Sequence, residues 1–339
     1  DLLGADSDFS SALEKNPVYT IAYTYRAITR SRLGNYDDAL KDFHEAIDLR
    51  PDLPDPYYSR GVTRLLNQQF KEAIEDFDMF IRHEKKVADA YVNRGLCYQH
   101  LKDTVRAYED YERAIRTNRE DPNGYNHRSV LYMQQNRHKE AEADLDIAIK
   151  HDSTYLLSFF NRALVYSNTN RPMLALSDFD HVIELDSTSS LTYFNRAIIR
   201  SQIGDYNRAL EDYNKVAEYS PENVLVYYNR AGLHSQIGNI DKAIEDYSRA
   251  INLYPDFANA FLNRSYMRMI KGDMKGAQAD RQIAERKIAD HKSRLADSTY
   301  SIYSDTTQKF DKLLSFDADV KGSSFDSNIE QTAAQNNDI

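Results

Sequence analysis

Apolar residues in this chain recur three and four places apart, a spacing that predicts amphipathic helices in close succession. The helices come in pairs, divided by turns such as Gly204-Asp205, Gly238-Asn239 and Gly272-Asp273. An aromatic opens the first helix of each pair: Tyr23, Tyr57, Tyr91, Tyr125, Phe159, Tyr193, Tyr227 and Phe261. Four places on stands a small residue (Ala27, Gly61, Gly95, Ser129, Ala163, Ala197, Ala231, Ser265), as close helix contact requires. The second helix carries Ala39, Ala73, Ala107, Ala141, Ala175, Ala209, Ala243 and Ala277, usually with a ring four residues later, as in Phe179 and Tyr247. Pro51, Pro221 and Pro255 stop it where they occur.

The pairs repeat. Arg26, Arg60, Arg94, Arg128, Arg162, Arg196, Arg230 and Arg264 follow one another at intervals of 34 residues without insertion or deletion. Units therefore start near residues 20, 54, 88, 122, 156, 190, 224 and 258 and fill 20–291. Residues 1–19 read as the second helix of a truncated unit, so the start at Asp1 reads as a cut. In the last unit Arg281 replaces the core ring and the helix runs on through ERKIADHKSRLADS, a polar face suited to a cap. Residues 292–315 are expected to hold the end of that capping helix and a short helix near 307–315; residues 316–339 are expected to form a flexible polar tail.

A 34-residue period with aromatic-x3-small in one helix and Ala-x3-aromatic in the next resembles the tetratricopeptide repeat (TPR) family over about four-fifths of the chain. That resemblance implies an all-α, right-handed α-solenoid superhelix of eight 34-residue hairpins, plus the N-terminal half-repeat and the C-terminal cap, with the first helices lining a concave groove. One feature departs from the family pattern: where Leu is common before the small residue, this chain has Arg every time.

Each arginine has an aspartate sixteen residues later, as in Arg162 with Asp178, Arg196 with Asp212 and Arg230 with Asp246, and Asp8 keeps the register in the half-unit. A cation facing a neighbouring helix needs neutralising, and a carboxylate fits the guanidinium fork best. The pattern predicts a ladder of structural ion pairs within or between units; the competing reading turns the arginines to an anionic ligand, which the matched aspartates disfavour.

One residue before Arg, about 100° round the helix, stand Asn93, His127, Asn161, Asn195, Asn229 and Asn263. A carboxamide donates and accepts, so such a row can hold the main chain of an extended peptide, as the resembling asparagine ladder in the TPR portion of O-linked N-acetylglucosamine transferase does. Phe160, Phe194 and Tyr228 precede the amides and suggest apolar anchors in the same groove. The alternatives are that the amides bond to neighbouring repeats and that the rings pack between units. The groove position before Asn never holds Lys, so the clamp that chaperone-binding TPR domains use for acidic tails is not expected.

The charge of −10 and pI near 5.4 argue against nucleic acid, and no Lys/Arg run offsets them. No apolar run is long enough for a membrane span. One cysteine, Cys97, excludes a disulfide framework and reads as a packed thiol. The nine histidines are scattered, with His100, His127 and His234 read as surface or groove residues, and no metal, cofactor or catalytic motif stands out. The expectation is a non-enzymatic scaffold binding a protein or peptide in the groove, with self-association also open. Alternatives are an assembly subunit using its convex face or C-terminal segment, and the recognition arm of an enzyme whose catalytic domain lies elsewhere. The repeats followed by KFDKLLSFDADV resemble large exported bacterial TPR proteins, which implies a periplasmic or cell-surface location, the alternative being cytoplasmic.

Overall fold

The computed structural model describes residues 1–295, so the short helix and tail expected beyond them lie outside the described residues. The described residues fall into two units, 1–165 and 166–295. Among the described residues there are seventeen helices and no strand. In the first unit α1 (Leu2–Lys15) precedes the pairs α2 (Thr20–Arg32) and α3 (Tyr36–Leu49), α4 (Asp55–Leu66) and α5 (Phe70–His83), α6 (Ala88–His100) and α7 (Thr104–Thr117), and α8 (Pro122–Gln134) and α9 (His138–His151). The boundary falls in α10 (Leu156–Asn168). The second unit continues with α11 (Pro172–Leu185), then pairs α12 (Ser190–Gln202) with α13 (Tyr206–Tyr219), α14 (Val224–Gln236) with α15 (Ile240–Leu253), and α16 (Ala258–Lys271) with α17 (Met274–Leu295).

Local chemistry sets these ends. Asp103 and Asn223 cap their helices by accepting backbone N–H bonds from Arg106 and from Leu225 and Val226, while Pro122 and Pro172 sit in the first turn, where a missing donor does no harm. Between the two helices of every pair one residue adopts a left-handed conformation: Gly34, Gln68, Lys102, Asn136, Asn170, Gly204, Gly238 and Gly272. The N–H that follows it closes back on the helix, as from Asn35 to the Arg30 carbonyl and from Asp103 to that of Tyr98. Glycine meets this conformation without strain; Gln68 and Lys102 do not.

Within each unit the first helix packs on its own second helix, and the second helix packs on the next first helix. The repeated alanines and the rings four places later are fully or nearly fully buried, among them Phe43, Phe77, Tyr111, Phe179 and Tyr213. The small residue of the first helix meets that ring: a Cβ added at Gly95 would lie 2.6 Å from Cε1 of Tyr111.

Six of the eight arginines join three helices, whereas Arg60 bonds to Asp76 alone. Arg94 donates through Nε and Nη2 to both oxygens of Asp110 in its own pair, and through Nη1 to Asp78 in the preceding second helix. Arg196 does the same with Asp212 and Asp180, and Arg128 with Asp144 and Glu112. Arg26, Arg230 and Arg264 keep the aspartate fork but turn Nη1 to the neutral oxygens of Ser10, Asn214 and Ser248. Arg162 reaches back to Asp146 at 2.8 Å within the first unit; Asp178 is buried in the second. Each guanidinium also lies over the ring three residues before it, as in Arg196 over Tyr193 at 5.3 Å and Arg128 over Tyr125 at 6.0 Å. Bonding to Asp246 raises the Arg230 pKa despite burial, so the side chain stays charged.

A second arginine one turn later reinforces some rungs: Arg64 on Asp76 at 2.7 Å, and Arg200 on Asp212 and Arg268 on Asp280 at 2.9 Å. At that place His234 stands 4.0 Å from Asp246, buried rather than at the surface, with its pKa lowered chiefly by burial.

Two measurements test this account. Asp212→Ala strands Arg196 and Arg200 without their shared carboxylate and should lower the urea-unfolding free energy by about 3–5 kcal/mol, most of it regained when both arginines are also replaced by leucine. Lys102→Gly should raise it by about 0.5–1 kcal/mol, because the left-handed turn loses its strain.

Candidate functional site

The residue preceding each asparagine in the previous repeat decides what that asparagine does. Thirty-five residues before Asn93, Asn161 and Asn263 stand Tyr58, Asn126 and Tyr228, each with an oxygen at the right place. Asn93 Nδ2 donates to the Tyr58 hydroxyl at 3.1 Å, Asn161 to Asn126 Oδ1 at 3.0 Å, and Asn263 to the Tyr228 hydroxyl at 3.0 Å. These three amides therefore tie one first helix to the first helix before it. Asn161, buried along with Asn126, does not face a groove at all, which corrects its expected place in the binding row.

Thirty-five residues before Asn229 stands Phe194, which has nothing to accept a hydrogen bond. Asn229 accordingly makes no side-chain hydrogen bond among the described residues and remains half-buried with its donor and acceptor both open. Asn195 turns one N–H to the Leu191 carbonyl of its own helix at 2.9 Å and keeps its oxygen and second N–H. His127 lies against the Tyr111 ring, centroids 5.7 Å apart. The row read from sequence is thus two kinds of residue: connectors in Asn93, Asn161 and Asn263, and open amides in Asn195 and Asn229.

The rings need correction as well. Phe160 and Phe194 are 3% and 2% exposed, the latter packed edge-on against Tyr213, so neither presents a face to a ligand. The small residue of the first helix lets the ring beside it sink into the core. Tyr228 stays half-exposed, tilted against Phe257 with centroids 4.6 Å apart, because its hydroxyl is held at the edge by Asn263. Around Asn195 and Asn229 the next turns carry Ser201, Gln202, Ser235 and Gln236, half-buried or exposed and uncharged.

On the corresponding face of the first unit the chemistry is acidic. Asp89 stands one turn before Asn93, and burial, then the charge of Asp121, pushes its carboxyl up to about 6. The same two carboxylates add to the burial that raises the Tyr155 phenol, whose hydroxyl donates to Asn123 Oδ1 at 2.6 Å. Sequence reading missed this cluster because Asp121 and Tyr155, though one period apart, differ in type, and Asp89 holds another repeat position that meets them only when hairpins stack. Cys97 is fully buried, its thiol pushed up to about 12 by burial, and is inert. Among the described residues no group of His, Cys, Asp and Glu could hold a metal ion.

Asp89 supplies a pH test. Its folded pKa exceeds the unfolded value, so the cost of its charge is fully present above about pH 6 and disappears as pH falls towards 4. Asp89→Asn should stabilise the protein at pH 7 by on the order of 1–2 kcal/mol, and the gain should vanish in urea titrations near pH 4.

Comparison with known proteins bears on the repeats and the fold. Sequence models described as tetratricopeptide repeat match residues 88–121, 191–223 and 224–257, and one described as TPR repeat matches 31–68. No curated protein matches the sequence. Among solved structures, pilF of Pseudomonas aeruginosa is similar with a TM-score of 0.56 and 20% identity, covering 64% of this chain and 96% of that one. A monomeric mutant of IFIT1, solved with Gppp-AAAA, has a TM-score of 0.56 and 14% identity over 79% of this chain and 71% of its own. YrrB, titled a TPR protein with an unusual peptide-binding site, scores 0.46 at 23% identity over 54% of this chain and 95% of its own. Matched repeats in both units, with paired helices and no strand among the described residues, make this chain a tetratricopeptide repeat protein.

Proposed function

We propose that the chain is a non-enzymatic scaffold that holds an extended segment of another protein along the first-helix face of its second unit. The observation that supports this most directly is Asn229. A half-buried carboxamide with no internal partner is an incomplete hydrogen-bonding arrangement, and a peptide unit, with one donor and one acceptor, completes it. Asn195, one period earlier, adds a free oxygen and one N–H. The amides of a passing main chain can meet both, whatever its side chains.

Specificity then comes from the surroundings. The neutral rim of Ser201, Gln202, Ser235 and Gln236 accepts polar side chains without demanding charge, and the exposed part of the Tyr228 ring offers a single apolar contact. A mainly uncharged segment with one apolar residue fits this face better than an acidic tail would.

Peptides selected against the full chain from a displayed random library provide the test. Asn195→Ala with Asn229→Ala should weaken the selected peptide by about 1–3 kcal/mol, roughly tenfold to a hundredfold in Kd by calorimetry, while the melting temperature stays unchanged. Asn161→Ala should do the reverse: it leaves Asn126 buried without its donor and should cost about 1–3 kcal/mol of stability with no specific effect on the peptide. Full affinity in the double variant removes the amides from the binding site.

A further inference from the structure

A groove of about 1100 Å³ opens on the second-helix side of the first unit, between α5 and α7, with α6 at its base. Its floor is electrically settled. Asp78 and Asp110 are both held by Arg94, and Glu112 is held by Arg116 and Arg128 and accepts from the Tyr108 hydroxyl. Its rim is not settled. Lys85 and Arg113 are exposed and meet no carboxylate, and Arg82 donates only to the Met79 sulfur. Glu109 is the one rim carboxylate without a partner among the described residues, so the groove presents an excess of positive charge on a chain whose net charge is −10.

The repeat does not demand this arrangement. At the position of Arg82 the other units have Asp48, Arg116, Lys150, Glu184, Glu218, Asn252 and Arg286. Two consecutive arginines there, with Lys85 and Arg113 beside them, occur at this one junction. A residue that only steadies a helix end could recur in every unit, as the ladder arginines do.

We propose that this groove binds an acidic, partly apolar segment of a partner protein. Arg82 and Arg113 come from opposite walls, so carboxylates a few residues apart on one extended strand can engage both. Ile81 and Tyr108, both half-buried, give the walls apolar surface for side chains between the acids. Glu109, unpaired on the rim, opposes a continuous run of phosphodiesters more than carboxylates that can be spaced to avoid it, which sets protein before nucleic acid. The volume exceeds what a single small anion fills.

The full chain titrated with a fluorescein-labelled peptide of glutamates spaced by alanine and leucine should give an anisotropy change that weakens as salt is added. Arg82→Glu with Arg113→Glu should lose at least about tenfold in affinity, and the neutral pair Arg82→Gln with Arg113→Gln a smaller part of it, both with native circular dichroism. Asn195→Ala with Asn229→Ala should leave this peptide untouched, which separates the groove from the first-helix face. Three results overturn the proposal: no binding at low ionic strength, retained affinity in the folded charge-reversed chain, or tighter binding of a single-stranded RNA of matched charge.

Discussion

A guanidinium shared among three helices is the constraint on which this fold depends. An apolar residue before the small residue would be satisfied by any close-packed neighbour; an arginine there is satisfied only where carboxylate or hydroxyl oxygens stand at the correct angle. Arg94 meets Asp110 through two nitrogens and Asp78 through a third, so it fixes both the pairing within a hairpin and the step to the one before. Every slip of register would leave a partly buried charge without its partner, and that penalty exceeds the small net gain of forming the pair. The ladder is therefore better understood as a device for selecting one stacking than as a source of stability.

That constraint also explains what the first helices can offer a partner. Once the arginine points at the second helices, the residue before it is turned about 100° away, and the residue before that sinks towards the core. Phe194 follows this course and is buried; Tyr228 follows it too, but its hydroxyl stays at the edge and captures Asn263. The distinction between a connecting and an open amide thus rests on one oxygen in the preceding unit. A phenylalanine in place of a tyrosine releases the next asparagine for outside use.

Much of this was legible in the sequence and some was not, for definable reasons. The period, the helix pairs and the aspartate sixteen residues after each arginine are invariant, so counting finds them. Except at Arg60, where His44 stands and no such bond forms, a further contact of the arginine lies sixteen residues before it, where Ser10, Asp78, Glu112, Asp146, Asp180, Asn214 and Ser248 share an oxygen but not a residue type. Residue identity conceals what geometry makes common. The asparagine row was visible, but its division was not, because the deciding atom lies one repeat earlier. The left-handed turn was readable at its glycines and silent at Gln68 and Lys102, where tertiary packing holds a conformation that the residue does not favour.

The positive groove escaped for another reason. Scanning a sequence for basic runs assumes that charges close in space are close in the chain, whereas a repeat protein brings together positions one period apart. Arg82 and Arg116 are separated by 34 residues, and their neighbours in sequence include Glu84 and Glu112, which cancel them in any local window. In a stacked array the relevant window runs across the repeats, down one column of equivalent positions. Columns that are uniform, like the arginine ladder, belong to the scaffold; a column that varies from unit to unit, as this one does on either side of α5 and α7, is where the array can be modified without altering how it stacks.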